Sequence, residues 1–431
     1  MVNPPQSPTD LASTRKADLP ARGTMRRLPL QVNFVWTLAG NVVYAACQWG
    51  ILVVLAKIGS AEMVGQFSLG LAITAPVIMF TNLQLRGIQA TDAREEYHFG
   101  HYFGLRLSTN VLAMLVILGI VLASGYHRQT TLVILAIGLA KTFEAVSDVI
   151  YGLIQRHERM DRIAISLMIK GPLSLLALGT LVWMTRNVFA GALGLAAAWL
   201  TLLLTYDLGN ARRLANIRLH LDVSTLWRLV RLAFPLGIVM MLISLNTNVP
   251  RYFVTHYWNE KELGYFAAMA YLMTAGNMVI SALGQSASPR LAQHYANRDR
   301  RAFRQLLFKL VGIGVALGVA GVALAALWGR QVLTLLYRPE YANRVEVFVW
   351  LMVAAGVGYV ASMLGYGATA RRNLKWQPAA LLPTILTGAA VCRLLVPSLG
   401  ILGAAFGTVA SSVVSAIGFG ILNVQRKAHT Q

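Results

Sequence analysis

Three charged residues stand inside one long apolar run. Lys141, Glu144 and Asp148 interrupt the stretch TLVILAIGLAKTFEAVSDVIYGLIQ at spacings of i, i+3 and i+7. In an α-helix that spacing puts all three on one face. An isolated charge at a bilayer centre costs about 2.5–3.5 kcal/mol on insertion scales, so this face must meet protein or water. Lys170, beside Gly171–Pro172, lies near enough in sequence and depth to join the group. Three chemistries fit: an internal ion network that fixes a bundle, a cation or proton path, or contact between Lys141 and an anionic substrate.

A second set of residues offers hydrogen bonds. Asn33, Thr37, Asn41, Tyr44 and Gln48 recur every three or four positions along one apolar run. Similar stripes are Thr74, Thr81 and Gln84; Ser244, Asn248 and Arg251; and Tyr271, Thr274, Ser281, Gln285 and Ser288. Four striped spans point to a water-accessible cavity. Its candidate substrate contacts are Asn41, Tyr44, Gln48, Arg86, Asn248, Arg251, Gln285 and Arg290. The competing role is interhelical hydrogen bonding, since Ser, Thr and Asn also hold packed helices together. Arg251 follows Pro250, and a proline lets a helix bend, so Arg251 suits a gate, an anion contact or a snorkel to the headgroups. Arg393 has no acidic partner in its half of the chain. Surplus positive charge in a cavity favours a phosphate or pyrophosphate.

The elements that must position these residues are membrane spans. Of 431 residues, 56% are hydrophobic and only 13% charged, with a mean hydropathy of +0.57. Soluble domains carry about 25% charged residues. Spans of roughly 20 apolar residues fall at 31–56, 64–85, 107–124, 131–154, 163–184, 188–208, 229–256, 263–285, 306–328, 348–369, 378–397 and 401–423, twelve in all. The runs are too long for strands and lack their alternation, which makes the fold all-α.

The net charge of +21 does not point to nucleic acid. Lys and Arg gather in alternate connections: Arg86, Arg94 and Arg106; Arg156, Arg159 and Arg162; Arg212 to Arg228; Arg290 to Arg304; Arg371, Arg372 and Lys375. By the positive-inside rule these connections and both termini are cytoplasmic. Residues 1–30 read as a disordered basic tail rather than a signal peptide, and 424–431 as a short second tail. Tyr257–Trp258 and the stretch 332–347 read as interfacial on the opposite side, the latter as a helix lying on the membrane. Cys47 and Cys392 sit in apolar runs and read as buried hydrophobes.

A weak repeat divides the chain. VGQF at 64–67 opens the second span, and LGYF at 263–266 opens the eighth. Two six-helix bundles, 31–208 and 229–423, are then joined by a cytoplasmic linker, 209–228. Such duplications place substrate sites between the halves, here among spans one, two, seven and eight. That puts the helix of Lys141 outside the lining set and favours an internal network for its charges. Gly314-x-x-x-Gly318 and Gly403-x-x-x-Gly407 read as close-packing sites.

The chain contains no G-x-x-x-x-G-K-[ST] loop, no HExxH, no G-x-S-x-G and no Cys/His metal spacing. These absences leave no basis for a cofactor, a metal or an enzyme. His98 and His101, near Glu95 and Glu96, read as part of a solvated loop.

The segment K-x-x-E-x-x-x-D-x-x-Y-G-L-I-Q-R-x-E-R-M, Lys141 to Met160, resembles the fourth span and exit turn of polysaccharide-transporter proteins. These are the O-antigen or lipid-linked oligosaccharide flippases of the multidrug/oligosaccharidyl-lipid/polysaccharide (MOP) exporter superfamily. GQFSLGLA at Gly65–Ala72, the pair Arg86 and Asp92, and the N-x-x-R-Y-F run from Asn248 to Phe253 are similar to the family too. The likeness extends over residues 28–425. It implies two six-helix bundles, a central cationic cavity and alternating access. It also implies passage of a lipid-pyrophosphate-linked glycan (an O-antigen, exopolysaccharide or capsule unit) to the outer leaflet of a bacterial inner membrane. The partners implied are that substrate, membrane lipids, and the glycan polymerase and glycosyltransferases of the pathway. Lipid II flippases of the superfamily carry two further spans that this chain lacks. The alternative within the superfamily is a cation-coupled multidrug antiporter, which needs carboxylates inside its spans; Glu144 and Asp148 are the clear ones here. A membrane glycan polymerase would need a large outer loop, and the longest here is 329–347.

Overall fold

The computed structural model describes residues 28–92, 96–371 and 377–424. The basic tail up to residue 27, Arg94, Glu95, Arg372, Lys375, Arg426 and Lys427 lie outside the described residues. The first bundle comprises α1 (Leu30–Ile58), α2 (Ala61–Thr81), α3 (Leu85–Thr91), α4 (Phe99–Ser124), α5 (Arg128–Arg156), α6 (Met160–Thr185) and α7 (Val188–Leu202). A π-helical turn, Leu203–Asp207, leads from α7 into α8 (Leu208–Leu214). The second bundle comprises α9 (Val223–Tyr257), α10 (Glu260–Ala296), α11 (Arg300–Leu336), α12 (Pro339–Ala342), α13 (Val345–Ala370), α14 (Gln377–Leu399) and α15 (Ile401–Val424).

Eleven described helices are long and apolar enough to cross a membrane. The long helix outside that set is α5, which carries Lys141, Glu144 and Asp148 and packs against α2, α3, α4 and α7. Large side chains remain on the outside as well: Leu122 is 73% exposed and Phe308 72%. That is the surface a hydrocarbon solvent requires. Helix starts are set by polar caps. Ser60, Asn187, Asp222, Asn259 and Asp299 each accept a first-turn backbone N–H. Gly125 and Gly400 take the left-handed φ that ends or turns a helix, at +65° and +59°.

Three expectations change. The linker is shorter than 209–228, because α8 and the first turns of α9 occupy most of it. The 332–347 stretch is not one continuous helix. It runs through the end of α11, α12 and the first turn of α13, with Tyr337 and Tyr341 buried. Tyr341 packs edge-on against Tyr265 at 4.8 Å, and Tyr337 donates to Ala268 O at 2.8 Å, so these rings tie the stretch to α10. Arg106 is not in a loop but fully buried in α4, where its guanidinium donates to Thr81 O, Asn82 O and Asn82 Oδ1. It thereby caps the end of α2, where Leu83 and Gln84 both take a φ of +51° before α3 begins.

The bundles meet mainly through α2, which packs on α9 and α10. Gly65 and Gly264, the glycines of the two repeat tetrapeptides, face each other there. A Cβ on Gly65 would lie 1.6 Å from Glu260 O, and one on Gly264 1.8 Å from Ala61 O. Thr130 donates to Glu260 Oε1 at 3.2 Å, and Arg338 donates to Lys57 O at 2.8 Å, at the same end. The molecule is therefore closed at the end that carries these loops. Along α9, Tyr252 donates to Ala72 O and Gly237 lies against Phe80 O, so the α2–α9 seam runs far toward the other end. By contrast, α1 touches α10 little, and Asn41, Gln285 and Arg290 on those helices are exposed.

Candidate functional site

The charges on α5 do share a face, but they divide between two partners. Lys141 Nζ is 2.7 Å from Glu144 Oε2, and Tyr44 of α1 donates to Glu144 Oε1 at 2.5 Å. Lys141 also lies over the Trp199 ring at 5.0 Å. Asp148, one turn further, pairs instead with Arg86 of α3 at 3.3 Å. Arg86 Nε donates to Gln155 at 3.1 Å, and its guanidinium stacks on Tyr151 at 5.6 Å. The helix break held by Arg106 is what aims α3, and so Arg86, at α5.

Lys170 makes no hydrogen bond to either pair, but it lies within electrostatic reach of Glu144. It is 1% exposed, its Nζ has no hydrogen-bond partner, and it sits between Tyr151 and Trp199 at 5.2 and 5.7 Å. Its second counter-charge, beside Glu144, is a residue that sequence reasoning missed. Asp207, fully buried in the π-helical turn, accepts from Ser147 Oγ and Ser166 Oγ, each at 2.7 Å, within electrostatic reach of Lys170. The available signal was an aspartate at the end of the run AAAWLTLLLTYD, which looks like a span terminus when read alone. A π-turn is a common mark of a functional segment.

Across the bundle interface, Arg251 of α9 donates to Asn248 Oδ1 at 2.9 Å, and Asn248 donates to Ser244 O at 2.9 Å. Tyr271 of α10 lies within electrostatic reach of both Arg251 and Glu144. The cluster Tyr44, Glu144, Tyr271, Arg251 and Asn248 thus draws on α1, α5, α9 and α10. Gln48 Nε2 and Arg251 Nε are buried donors without partners. Gln285 and Arg290 are exposed at the other end of α10, away from this cluster. The second-span stripe does not line it. Thr74 and Thr81 are buried and donate back to Gly70 O and Val77 O of their own helix. Among the described residues no group of His, Cys, Asp or Glu could hold a metal ion.

A family profile described as "Polysaccharide biosynthesis protein" matches residues 30–295, well over half of the chain. The chain belongs to the polysaccharide biosynthesis protein family. A second profile, described as MatE, matches residues 235–372. The capsular polysaccharide biosynthesis protein CapF of Staphylococcus aureus is 27% identical over 393 residues, which is 90% of this chain and 97% of that protein. Among solved structures, an inward-facing MATE-family multidrug transporter of the MOP superfamily superposes with a TM-score of 0.71 at 11% identity. That match covers 90% of this chain and 97% of the other. The lipid II flippase MurJ in an inward closed conformation also gives 0.71, at 13% identity, over 90% of this chain and 87% of the other. At these identities the shared property is the two-bundle fold. The family membership, with eleven described helices long and apolar enough to cross a membrane, makes the chain a multi-pass membrane transporter rather than an enzyme.

Proposed function

We propose that the protein moves a lipid-pyrophosphate-linked oligosaccharide, such as a capsule, exopolysaccharide or O-antigen repeat unit, from the cytoplasmic to the outer leaflet of a bacterial inner membrane. Both termini are cytoplasmic in this reading, and the closed end of the interface faces outward. The observation that carries it is a set of incompletely paired donors on α1, α3 and α9. Arg251 and Gln48 hold donors with no partner, and Arg86 is only partly covered by Asp148. Unsatisfied buried donors cost about 1–3 kcal/mol each, and a pyrophosphate with its sugars supplies the acceptors. The glycan's hydroxyls meet Asn41, Tyr44, Asn248 and Tyr271, while Gln285 and Arg290 lie at the cytoplasmic entrance. Rocking of the bundles then moves the head group while the hydrocarbon tail stays in the bilayer.

Glu144 and Asp148 are each engaged by protein cations, which favours this reading over cation-coupled efflux of drugs. Partners in the reading are the polymerase and glycosyltransferases that consume and supply the glycan. The test is a clean deletion in a strain without a second transporter, together with flipping by the purified protein in vesicles. Lipid-linked glycan is expected to accumulate on the cytoplasmic face, and Arg251→Ala is expected to slow flipping at least tenfold. Normal surface glycan in the deletion strain overturns the proposal.

A further inference from the structure

Three histidines meet where the connection between the bundles crosses the first bundle. His98 precedes α4, His101 lies in its first turn, and His220 comes from the segment 215–222 between α8 and α9. The ring centroids of His101 and His220 are 5.1 Å apart, those of His98 and His101 6.0 Å, and those of His98 and His220 6.4 Å. His220 N donates to Gly100 O at 3.4 Å, and its Nδ1 lies 2.9 Å from Arg218 O. That contact makes Nδ1 the protonated nitrogen and leaves Nε2 as the basic one. His101 Nδ1 is buried with no hydrogen-bond partner.

The helix is shaped for this contact. Gly100 and Gly104, one turn apart on α4, face the connecting segment. A Cβ at Gly100 would lie 2.1 Å from Arg218 O, and one at Gly104 3.0 Å from His220 O. A G-x-x-x-G pair commonly admits a second helix; here it admits an extended strand of chain.

We propose that this cluster is a pH-sensitive latch: neutral imidazoles hold the inter-bundle connection on α4, and their protonation releases it. Three imidazoles this close cannot all carry charge without mutual repulsion. Asp222 of α9 is within electrostatic reach of His101, but its carboxylate already accepts from Ser224 and Thr225. On the α4 side, Asp92 is taken up by Tyr97 and Tyr102, with Arg156 of α5 acting on Tyr102 and Glu96 exposed nearby. These carboxylates keep their charge and favour imidazolium in part, with Asp222 the one within electrostatic reach of His101, but one nearby acid does not offset three imidazolium charges. Burial, with two imidazoles beside it, holds the His101 imidazole below its usual range, so its contribution to docking is complete above the ordinary value of about 6.5 and is lost as pH falls through the lowered one. Because residues 215–222 connect the two bundles that rock in the proposed function, their release lengthens the tether while the α2 contacts with α9 and α10 remain.

The full-length protein, with Cys47 and Cys392 replaced by Ala and a spin label at the exposed position 219, tests this in lipid nanodiscs containing a chelator. As the buffer is taken from about pH 8 to about pH 5.5, across the imidazole range, the mobile fraction of the label is expected to rise severalfold. His98→Gln/His101→Gln/His220→Gln is expected to abolish that dependence, and the single surface change His220→Asn to reduce it at least by half. A wild-type signal that does not change with pH overturns the latch. So does a pH response that persists in the triple variant and in His220→Asn. A response that appears only when the chelator is replaced by zinc also overturns it, in favour of a metal clip.

Discussion

A lysine with 1% exposure and no hydrogen-bond acceptor keeps its charge only if something near it is negative, and in this bundle Asp207 and Glu144 are both within reach. Removing either member of such a pair leaves the other uncompensated, which is costlier than removing both. A double-mutant cycle on Lys170→Met and Asp207→Asn is therefore expected to give a coupling of about 0.5–3 kcal/mol in thermal or denaturant unfolding. Strict additivity would mean that the aspartate does not answer the lysine. The cycle also marks where sequence reading stops. Lys141, Glu144 and Asp148 could be placed on one face from spacing alone, because helical periodicity needs only one element. Their division between Tyr44 and Arg86 could not, since those partners come from 100 and 62 residues away. Asp207 escaped for a local reason: a single acid at the end of an apolar run looks like the membrane boundary until Ser147 and Ser166 are seen to enclose it.

At the scale of elements, the tetrapeptides VGQF and LGYF gave only a faint hint of duplication, yet their glycines form the tightest approach between the bundles. Gly65→Val and Gly264→Val are each expected to push α2 and α10 apart at the closed end, and two-label distance measurements across that end should lengthen. An unchanged distance distribution in both variants would show that the glycines are not needed for closure. The start of α9 makes a prediction about pH. Bonds from Thr225 and Ser224 hold the Asp222 carboxyl below its usual range. A lowered value means that the cap is fully formed above the ordinary carboxylate value of about 3.9 and is lost as pH falls through the lowered one. Hydrogen exchange in the first turn of α9, corrected for intrinsic rates, should accelerate on acidification in the wild type and be fast at all pH values in Asp222→Ala. The span pattern was legible because lipid imposes length and apolarity on each helix separately. The α2–α3 break was not, since it depends on Arg106 reaching across from another helix.

At the scale of the whole molecule, the closed end is held by Gly65, Gly264, Thr130–Glu260 and Arg338–Lys57 O, while α1 and α10 stand apart toward the other end. A short thiol-specific crosslink between Thr130→Cys and Glu260→Cys, in a protein without Cys47 and Cys392, is expected to stop flipping by more than tenfold and to release it on cleavage. Undiminished flipping in the crosslinked protein would mean that this end does not open during the cycle. The α2–α9 seam has a consequence of another kind. With one flank stitched from Gly237 to Tyr252 and α1 and α10 making little contact on the opposite flank, the passage that the proposed function requires would be a slot with one open edge rather than a bore. A bore admits only what can be threaded end-on. A slot admits a head group sideways while whatever is tied to it trails outside, and neither the length of that trailing chain nor the size of the glycan is capped by the diameter of the protein.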